Sequence, residues 1–533
     1  MRSYHSGVSL RALPHPQSPG HNSKPRASAT PSNRARIFAA CLLAGHLRLH
    51  FKCKVRRPRA HEVQRRASGH SSRPCREEAR ADPLTERERR SKVAFRQIAR
   101  ILGLRRLSTL QFNDGTIKLQ GMYVKRGVTD KLRKLVKAFP VVVVSGARQV
   151  GKTTLLRHVF PDLDYVAFDP SIDVENARAE PDLFLHNHRL PLVLDEIQYA
   201  PELVSAIKRR VDEAQARPGM FLLTGSQQWQ VMQTLAESLA GRVAFLDLQG
   251  FSIQELAGAD ARAGWLGRWM DDADGLLASR PASATWVGRT LWEWLWRGAM
   301  PGAGALDADL VPDFWTGYHR TYVERDARLA GSVDDWQRFG QFLGLISALT
   351  AQEVNASRLG RDIGITPQTA RRWLAILSGT FQWVEHPAFA RNAVKRVSAK
   401  PKGYLADTGL ACHHAHVSSP EALGGHPMVG ALFETSMVNE IRKRAAVLSG
   451  GVAYSHWRAA GGAEVDLLLE RDGVLYPFEI KLTANPSRRH ASGLVAFRKA
   501  YPDRRIAKAA ILCATPRPFW VTEDVAALPW NLV

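Results

Sequence analysis

The chain has 533 residues, enough for three or four domains, and a formal net charge of +24. Residues 1–121 carry 26 Lys and Arg against 7 Asp and Glu, whereas the other 412 carry 48 against 43. The basicity belongs to the N-terminal segment, so global charge is excluded as an argument that the rest binds nucleic acid.

That segment, 1–121, has none of the 14 tryptophans but 3 of the 5 cysteines and 7 of the 18 histidines. It is rich in Arg, Ser and Pro with little apolar periodicity, a composition that cannot offset chain entropy by burial and predicts a disordered basic segment. It reads as an organelle transit peptide, as a basic arm for nucleic acid, or, most economically, as a mis-assigned start upstream of Met122. Its one apolar run, Ile37 to Gly45, is too short to span a membrane, and no membrane association is expected. Cys412 and Cys513 have no paired spacing, so neither a disulfide framework nor a zinc site is expected, which fits a reducing, cytoplasmic setting.

From residue 122 to 256 the pattern predicts an α/β nucleotide-binding domain. Val141 to Val144 read as a buried strand, and the helix after it has Leu155, Leu156 and Val159 at helical spacing. Between them lies G-x-x-x-x-G-K-T, with Gly146, Gly151, Lys152 and Thr153 in place. The backbone from Gly146 through Ala147, Arg148, Gln149, Val150, Gly151, Lys152 and Thr153 to Thr154 would cradle phosphates at a helix N-terminus. Lys152 would reach the β- and γ-phosphates of ATP, and the Thr153 hydroxyl would ligate Mg²⁺. A second apolar strand, Leu192 to Leu194, ends in Asp195 and Glu196. Asp195 would hold Mg²⁺ through water, and Glu196 would orient and deprotonate the attacking water. A third strand, Met220 to Gln227, brings Thr224 or Ser226 to the same edge, to position the lytic water or to sense the γ-phosphate. Arg242 precedes a further strand, VAFLDL; it reads equally as a finger reaching a neighbouring subunit of a homo-oligomer or as a salt-bridge arginine. No N-K-x-D guanine-reading motif occurs, which points to adenine.

Residues 257–338 predict a helical linker or lid, with WEWLWRG at 292–298 read as a packed helix. Residues 339–411 predict three helices with a turn at Gly364, Thr366 as N-cap and Pro367 at the first helical position. This reads as a winged-helix-like domain. Gln368, Arg371 and Arg372 would face a DNA groove, and Lys395, Arg396, Lys400 and Lys402 in the wing would meet phosphate. A protein partner is the alternative.

Residues 412–533 hold AEVDLLLERDGVLYPFEIKLT, a hairpin about Asp472-Gly473. That turn sets Asp466 opposite Glu479 and Glu464 opposite Lys481, all on one face, with an apolar surface on the other. Pro477 suggests an edge or a bulge. Two carboxylates and a lysine so spaced resemble the D…E-x-K core of restriction-endonuclease-like nucleases. In that resemblance Asp466 and Glu479 chelate a second metal, Lys481 activates water, and Glu434 is the acid on the preceding helix. A salt-bridged strand pair, or a nuclease fold that binds without cutting, remain the alternatives.

The motifs SGARQVGKTTLL, LVLDEIQ, LLTGSQ, SLAGR, NAVKRVSAKPKGYLADTGL, GALFETSMVNEI and AEVDLLLE with PFEIK resemble, in order, a prokaryotic family of AAA-type ATPases with a C-terminal domain of unknown function. The segment LDLQGFSIQEL departs from it, lacking the proline usual there. The resemblance implies an α/β chain with a P-loop AAA-type parallel-sheet domain, a winged-helix-like middle and a restriction-endonuclease-like α/β C-terminal domain. Three functions follow as expectations: a Mg-dependent ATPase; an ATP-regulated, metal-dependent nuclease acting on DNA or RNA; and a non-enzymatic ATP-gated regulator that binds DNA or a partner.

Overall fold

The computed structural model describes residues 123–169, 174–226, 237–258, 264–279, 289–322, 333, 335–390 and 399–532, with the backbone of 112–113 and 116–117. Most of segment 1–121, with Gln227, Lys395 and Arg396, lies outside the described residues.

The first layer is a five-stranded parallel sheet. Helix α1 (Thr129–Ala138) leads into β1 (Val141–Ser145), the phosphate loop and α2 (Lys152–Val159). Then come β2 (Asp164–Ala167), β3 (Leu192–Asp195), α3 (Leu203–Glu213), β4 (Phe221–Gly225) and β5 (Val243–Asp247). The order across the sheet is β2-β3-β4-β1-β5. Strands β1, β3 and β4 are buried throughout, as parallel strands covered on both faces must be, which explains their unbroken apolar runs. Because β1 lies between β4 and β5 in an all-parallel sheet, with β3 beyond β4, its C-terminal end opens on the same side as theirs, the side on which α/β sheets bind ligands.

The middle of the chain is mainly helical. Helix α4 (Leu291–Arg297) carries the tryptophan cluster as packing: Trp294 and Trp296 are buried, and their indole N–H groups reach Ser436 Oγ and Val417 O, each at 2.9 Å. After α5 (Val311–Thr321) come α6 (Trp336–Ala348), β6 (Gln352–Glu353), α7 (Ala356–Ile363), α8 (Pro367–Gly379), β7 (Trp383–His386) and β8 (Lys402–Leu405). The three strands form an antiparallel sheet in the order β6-β8-β7. Gly364, at φ 70°, ends α7 in the left-handed conformation, and Thr366 Oγ1 caps α8 by accepting from Thr369 N at 3.1 Å. Helix α9 (Thr408–His414) packs on α4, α5 and α6. The domain line expected at 411/412 therefore passes through a helix that belongs, by packing, to the middle region.

The last region begins with α10 (Val429–Ala445), followed by β9 (Ala453–Arg458), β10 (Glu464–Arg471), β11 (Val474–Lys481), α11 (Ser492–Ala500), β12 (Arg505–Ile506), β13 (Ala509–Cys513), β14 (Phe519–Thr522) and β15 (Val525–Pro529). Its mixed sheet runs β9-β10-β11-β13-β15-β14, with β12 also on β11. Pro477 thus lies in an interior strand. Ala507 N donates to Leu475 O at 2.9 Å; the return bond of a parallel ladder would need the N–H that residue 477 lacks. Arg498 Nη2 donates to Ala507 O instead, at 3.0 Å, and this is how the sheet tolerates the proline.

One apolar cluster runs from Val128 through Trp294, Phe342 and Tyr404 to Leu528, so all three regions share a core. Among the described residues no helix is long and apolar enough to cross a membrane.

Candidate functional site

The phosphate loop is shaped by backbone that only certain residues accept. Gly146 (φ 147°) and Gly151 (φ 95°) lie at positive φ, and a Cβ on Gly146 would overlap Leu248 O. Lys152 is buried inside the loop, its Nζ donating to Gly146 O at 3.0 Å and to Ala147 O at 3.2 Å. Those carbonyls hold the ammonium at the mouth of a helix N-terminus, where an anion is favoured.

Around the next strand ends the hydroxyls converge on Asp195. Thr153 Oγ1 donates to Asp195 Oδ2 at 2.6 Å; Thr224 Oγ1 and Tyr165 OH donate to Oδ1 and Oδ2 respectively. Burial, and then the Asp195 hydrogen bond, push the Tyr165 phenol well above its ordinary value. Glu196 sits at φ 59°, a conformation costly for a non-glycine residue, with its N–H on Thr224 Oγ1 at 3.0 Å. Its carboxylate accepts from Gln198 Nε2, which also reaches Ser226 Oγ at 3.3 Å. Thr153 and Asp195 thus present two adjacent hard oxygens, the donor type Mg²⁺ takes.

Arg242 is elsewhere. It precedes Val243, which pairs with Val141 at the start of β1, so it lies at the end of the sheet away from the phosphate loop. Its Nη2 meets Asp212 Oδ1 at 3.0 Å in a half-exposed pair. Within the chain it makes a salt bridge, and register keeps it from its own phosphate loop: an arginine before β5 starts a full strand away from the loop that follows β1.

The region behind the loop was not visible in the motifs. Arg126 is buried; its Nη1 donates to Val150 O at 2.9 Å and its Nη2 to Gln249 O at 2.5 Å, while Nε pairs with Glu255 at 3.1 Å. The 250s are in turn held by α10. Glu440 accepts from Ile253 N at 3.1 Å, Lys443 Nζ donates to Phe251 O at 3.0 Å, and Arg444 Nη1 to Gln254 Oε1 at 2.7 Å.

The other end of α10 enters a second polar cluster. The β10–β11 ladder keeps the expected register from Leu467↔Phe478 to Arg471↔Val474, about a turn with Asp472 and Gly473 at φ 52° and 72°. The opposed charges expected beyond it are not ladder pairs. At Asp466 the strands part, and Asp466 Oδ2 accepts from Ile480 N at 2.9 Å. Strict alternation breaks there: Val465 and Leu467, expected on one face, pack in different apolar clusters.

The charged side chains nevertheless meet. Lys481 Nζ lies 2.8 Å from Glu479 Oε1 and 3.6 Å from Asp466 Oδ2. Lys402 Nζ, from β8 of the middle region, lies 2.6 Å from Glu434 Oε1 and 3.0 Å from Asp466 Oδ1. Tyr404 OH donates to Glu434 Oε1 at 2.9 Å. Lys402 was expected to lie on the wing facing phosphate; it is buried in this cluster instead, because α10 and β10 of the last region cover it with Glu434 and Asp466. Lys400 remains exposed.

Three acids and two lysines so close cannot all titrate normally. Burial, which opposes the Asp466 carboxylate, is outweighed by Lys402, Lys481 and the Ile480 N–H, so Asp466 is held below the usual range. Burial and then the Asp466 charge push Glu434 up to about 7 and Glu479 up to about 8. For both lysines burial is outweighed by the carboxylates, and they are held above their ordinary value. Glu479 Oε2 is buried without a hydrogen-bond partner. Among the described residues no group of three or more His, Cys, Asp or Glu is disposed to hold a metal ion, and in this cluster Lys402 stands between Glu434 and Asp466.

Comparison with known proteins divides the chain along similar lines. Residues 138–257 match a family described as an AAA domain, 288–421 a domain of unknown function (DUF8612), and 429–533 another (DUF4143). Two curated relatives, the uncharacterized proteins Rv2008c of Mycobacterium tuberculosis and Mb2031c of Mycobacterium bovis, are each 28% identical over 407 residues, 76% of this chain and 83% of theirs. Similar solved structures include the Walker-type ATPase paby2304 of Pyrococcus abyssi, at 14% identity over 56% of this chain and 97% of that one, TM-score 0.32. The RuvB Holliday junction branch migration motor of Thermotoga maritima aligns at 18% identity over 49% of this chain and 89% of that one, TM-score 0.22.

Proposed function

With residues 138–257 an AAA-type P-loop domain, we propose that the protein binds ATP with Mg²⁺ and hydrolyses it. The observation that carries this is Lys152 held inside the phosphate loop while Thr153, Thr224 and Tyr165 converge on Asp195. Loop amides and Lys152 bind the β- and γ-phosphates and neutralise charge that builds in transfer. Thr153 and Asp195 would hold Mg²⁺, which supplies further neutralisation of that charge. Glu196 accepts the proton of the attacking water. Gln198, bridging Glu196 and Ser226, fixes the carboxylate, and Thr224 holds the Glu196 backbone. The test is ATP turnover by the full chain against Lys152→Ala and Glu196→Gln; turnover that survives both would refute the assignment.

A specific observation favours coupling to a nuclease-like unit. The order α10-β9-β10-β11-α11, with β13 after the short β12, resembles the restriction-endonuclease-like core, in which Asp466, Glu479, Lys481 and Glu434 would stand for its acids and lysine. The donors are of the right type for a divalent cation, and Glu479 Oε2 is unpartnered, but Lys402 takes an oxygen each of Glu434 and Asp466. A cation and Lys402 compete for those oxygens, so cutting requires Lys402 to withdraw. The order helix-strand-helix-helix-strand-strand from α6 to β8 supports a winged helix, whose exposed Gln368, Arg371 and Arg372 would meet DNA. Asp466→Ala should abolish Mg²⁺- or Mn²⁺-dependent cleavage of DNA or RNA; if the parent chain cleaves neither, this reading falls while the ATPase stands.

A further inference from the structure

A cavity of about 360 Å³ lies between the middle region and the last sheet, lined from α6, β6 and α7 on one side and from β9 and β10 on the other. Its inner wall is the acid cluster itself, through Lys402 and Glu434. Its outer wall carries the exposed cations Arg358, Lys400 and Arg458, beside the acids Glu353 and Glu464. Leu349, Val354 and Val465 supply apolar surface between the two.

Size and polarity together select the ligand. Small-molecule sites run from about 300 to 1,000 Å³, so the cavity admits one nucleotide-sized unit and is too small for a base pair with both its backbones. The cations at the mouth are weakly engaged. Arg458 lies 3.6 Å from Glu353 and Arg358 3.8 Å from Asp362, both with largely exposed guanidinium groups, and such pairs exchange readily for a phosphate. An apolar middle suits a nucleobase. Sequence alone could not assemble this site, because its walls come from residues more than a hundred positions apart.

We propose that this cleft binds a single nucleoside phosphate unit, taken from an unpaired nucleic-acid strand or as a free nucleotide, and that its size excludes duplex. The binding stands on the cavity alone; that the bound phosphate lies beside a cutting site rests on the nuclease-like reading.

The test uses the full chain and fluorescence anisotropy with a labelled single strand of about ten nucleotides, a span typical of single-strand sites. The same sequence as blunt duplex and AMP as competitor complete the set. Gln352→Trp, on the edge strand lining the cavity, plugs it, and Arg358→Glu reverses one charge at its mouth. Thermal unfolding of both variants checks that they fold. The single strand should bind at least about tenfold tighter than the duplex, and each variant should lose about tenfold or more, a 1.4 kcal/mol change per decade. AMP binding that Gln352→Trp weakens, without strand binding, assigns the free nucleotide and sustains the site. Equal affinity for strand and duplex, or strand and AMP binding indifferent to Gln352→Trp, overturns it. Asp466→Ala separates the two readings. Strand binding that the plug abolishes, with no cleavage by the parent chain, leaves the cleft and removes the nuclease; cleavage of duplex undisturbed by the plug does the reverse.

Discussion

The two polar sites of this molecule solve opposite problems. The phosphate loop is built from backbone, with one buried lysine resting on two carbonyls that an incoming anion outcompetes. The acid cluster is built from side chains, and its charges are already paired to one another. The first site is poised for a ligand of opposite sign. The second pairs its charges without one, leaving only Glu479 Oε2 unpartnered, so a cation entering between Glu434 and Asp466 must displace an ammonium.

The largest effect that sharpens this contrast is catalytic. Lys152→Ala should abolish ATP turnover or nearly so, and Glu196→Gln should keep ATP binding while cutting turnover about 100-fold or more, because only proton transfer is lost. Single-turnover kinetics beside equilibrium ATP binding would check both.

The second effect concerns stability. Lys402→Met leaves Asp466 and Glu434 facing each other in a buried site and should cost about 3–5 kcal/mol at neutral pH by denaturant unfolding, as breaking a buried pair does. Adding Asp466→Asn should recover part of that loss. If Lys402→Met is neutral, the cluster is not the self-neutralised unit described.

A pH profile comes third. Glu434 and Glu479 bind their protons more tightly folded than unfolded, so the folded state holds more protons between their ordinary 4.5 and their folded values of about 7 and 8. Their contribution is full below the ordinary value and is lost as pH rises through that window. Asp466 runs the other way, with its contribution lost as pH falls through its depressed value. Glu479→Gln should flatten the fall above pH 5 by at most about 1.4 kcal/mol per pH unit. An unchanged slope would contradict the raised Glu479.

The smallest effect belongs to Arg242→Ala. Half-exposed pairs contribute about 0–1 kcal/mol, so stability should barely move and ATP turnover should change by no more than a few-fold. A loss of turnover that grows with protein concentration would reopen a role across subunits.

How much of this could be read from the chain follows the same contrast. The phosphate loop is contiguous, and each of its residues is fixed by a local demand: glycine at positive φ, lysine at the helix start, a hydroxyl next to it. Asp195 and Glu196 follow because a buried strand ends where β3 must. Tyr165, Gln198 and Arg126 carry no such local mark, since each reaches a partner distant in the chain: Asp195 at 30 residues, Ser226 at 28 and Gln249 at 123. In the acid cluster the hairpin fixed part of the register, but the parting at Asp466 depends on one side-chain hydrogen bond that alternation cannot encode. Lys402 was misplaced for a similar reason. A wing reads as basic and exposed, and only the packing of the last region against β8 buries this lysine.

Helix α10 has a thermodynamic consequence of its own. Its 17 residues make a rod of about 25 Å, with Glu434 in the acid cluster and Glu440, Lys443 and Arg444 gripping the 250s, next to the carbonyls that Arg126 ties to the phosphate loop. The same element thus contacts both sites. Linkage is then reciprocal: any factor by which ATP at the loop changes affinity at the acid cluster must be returned by a ligand there acting on ATP.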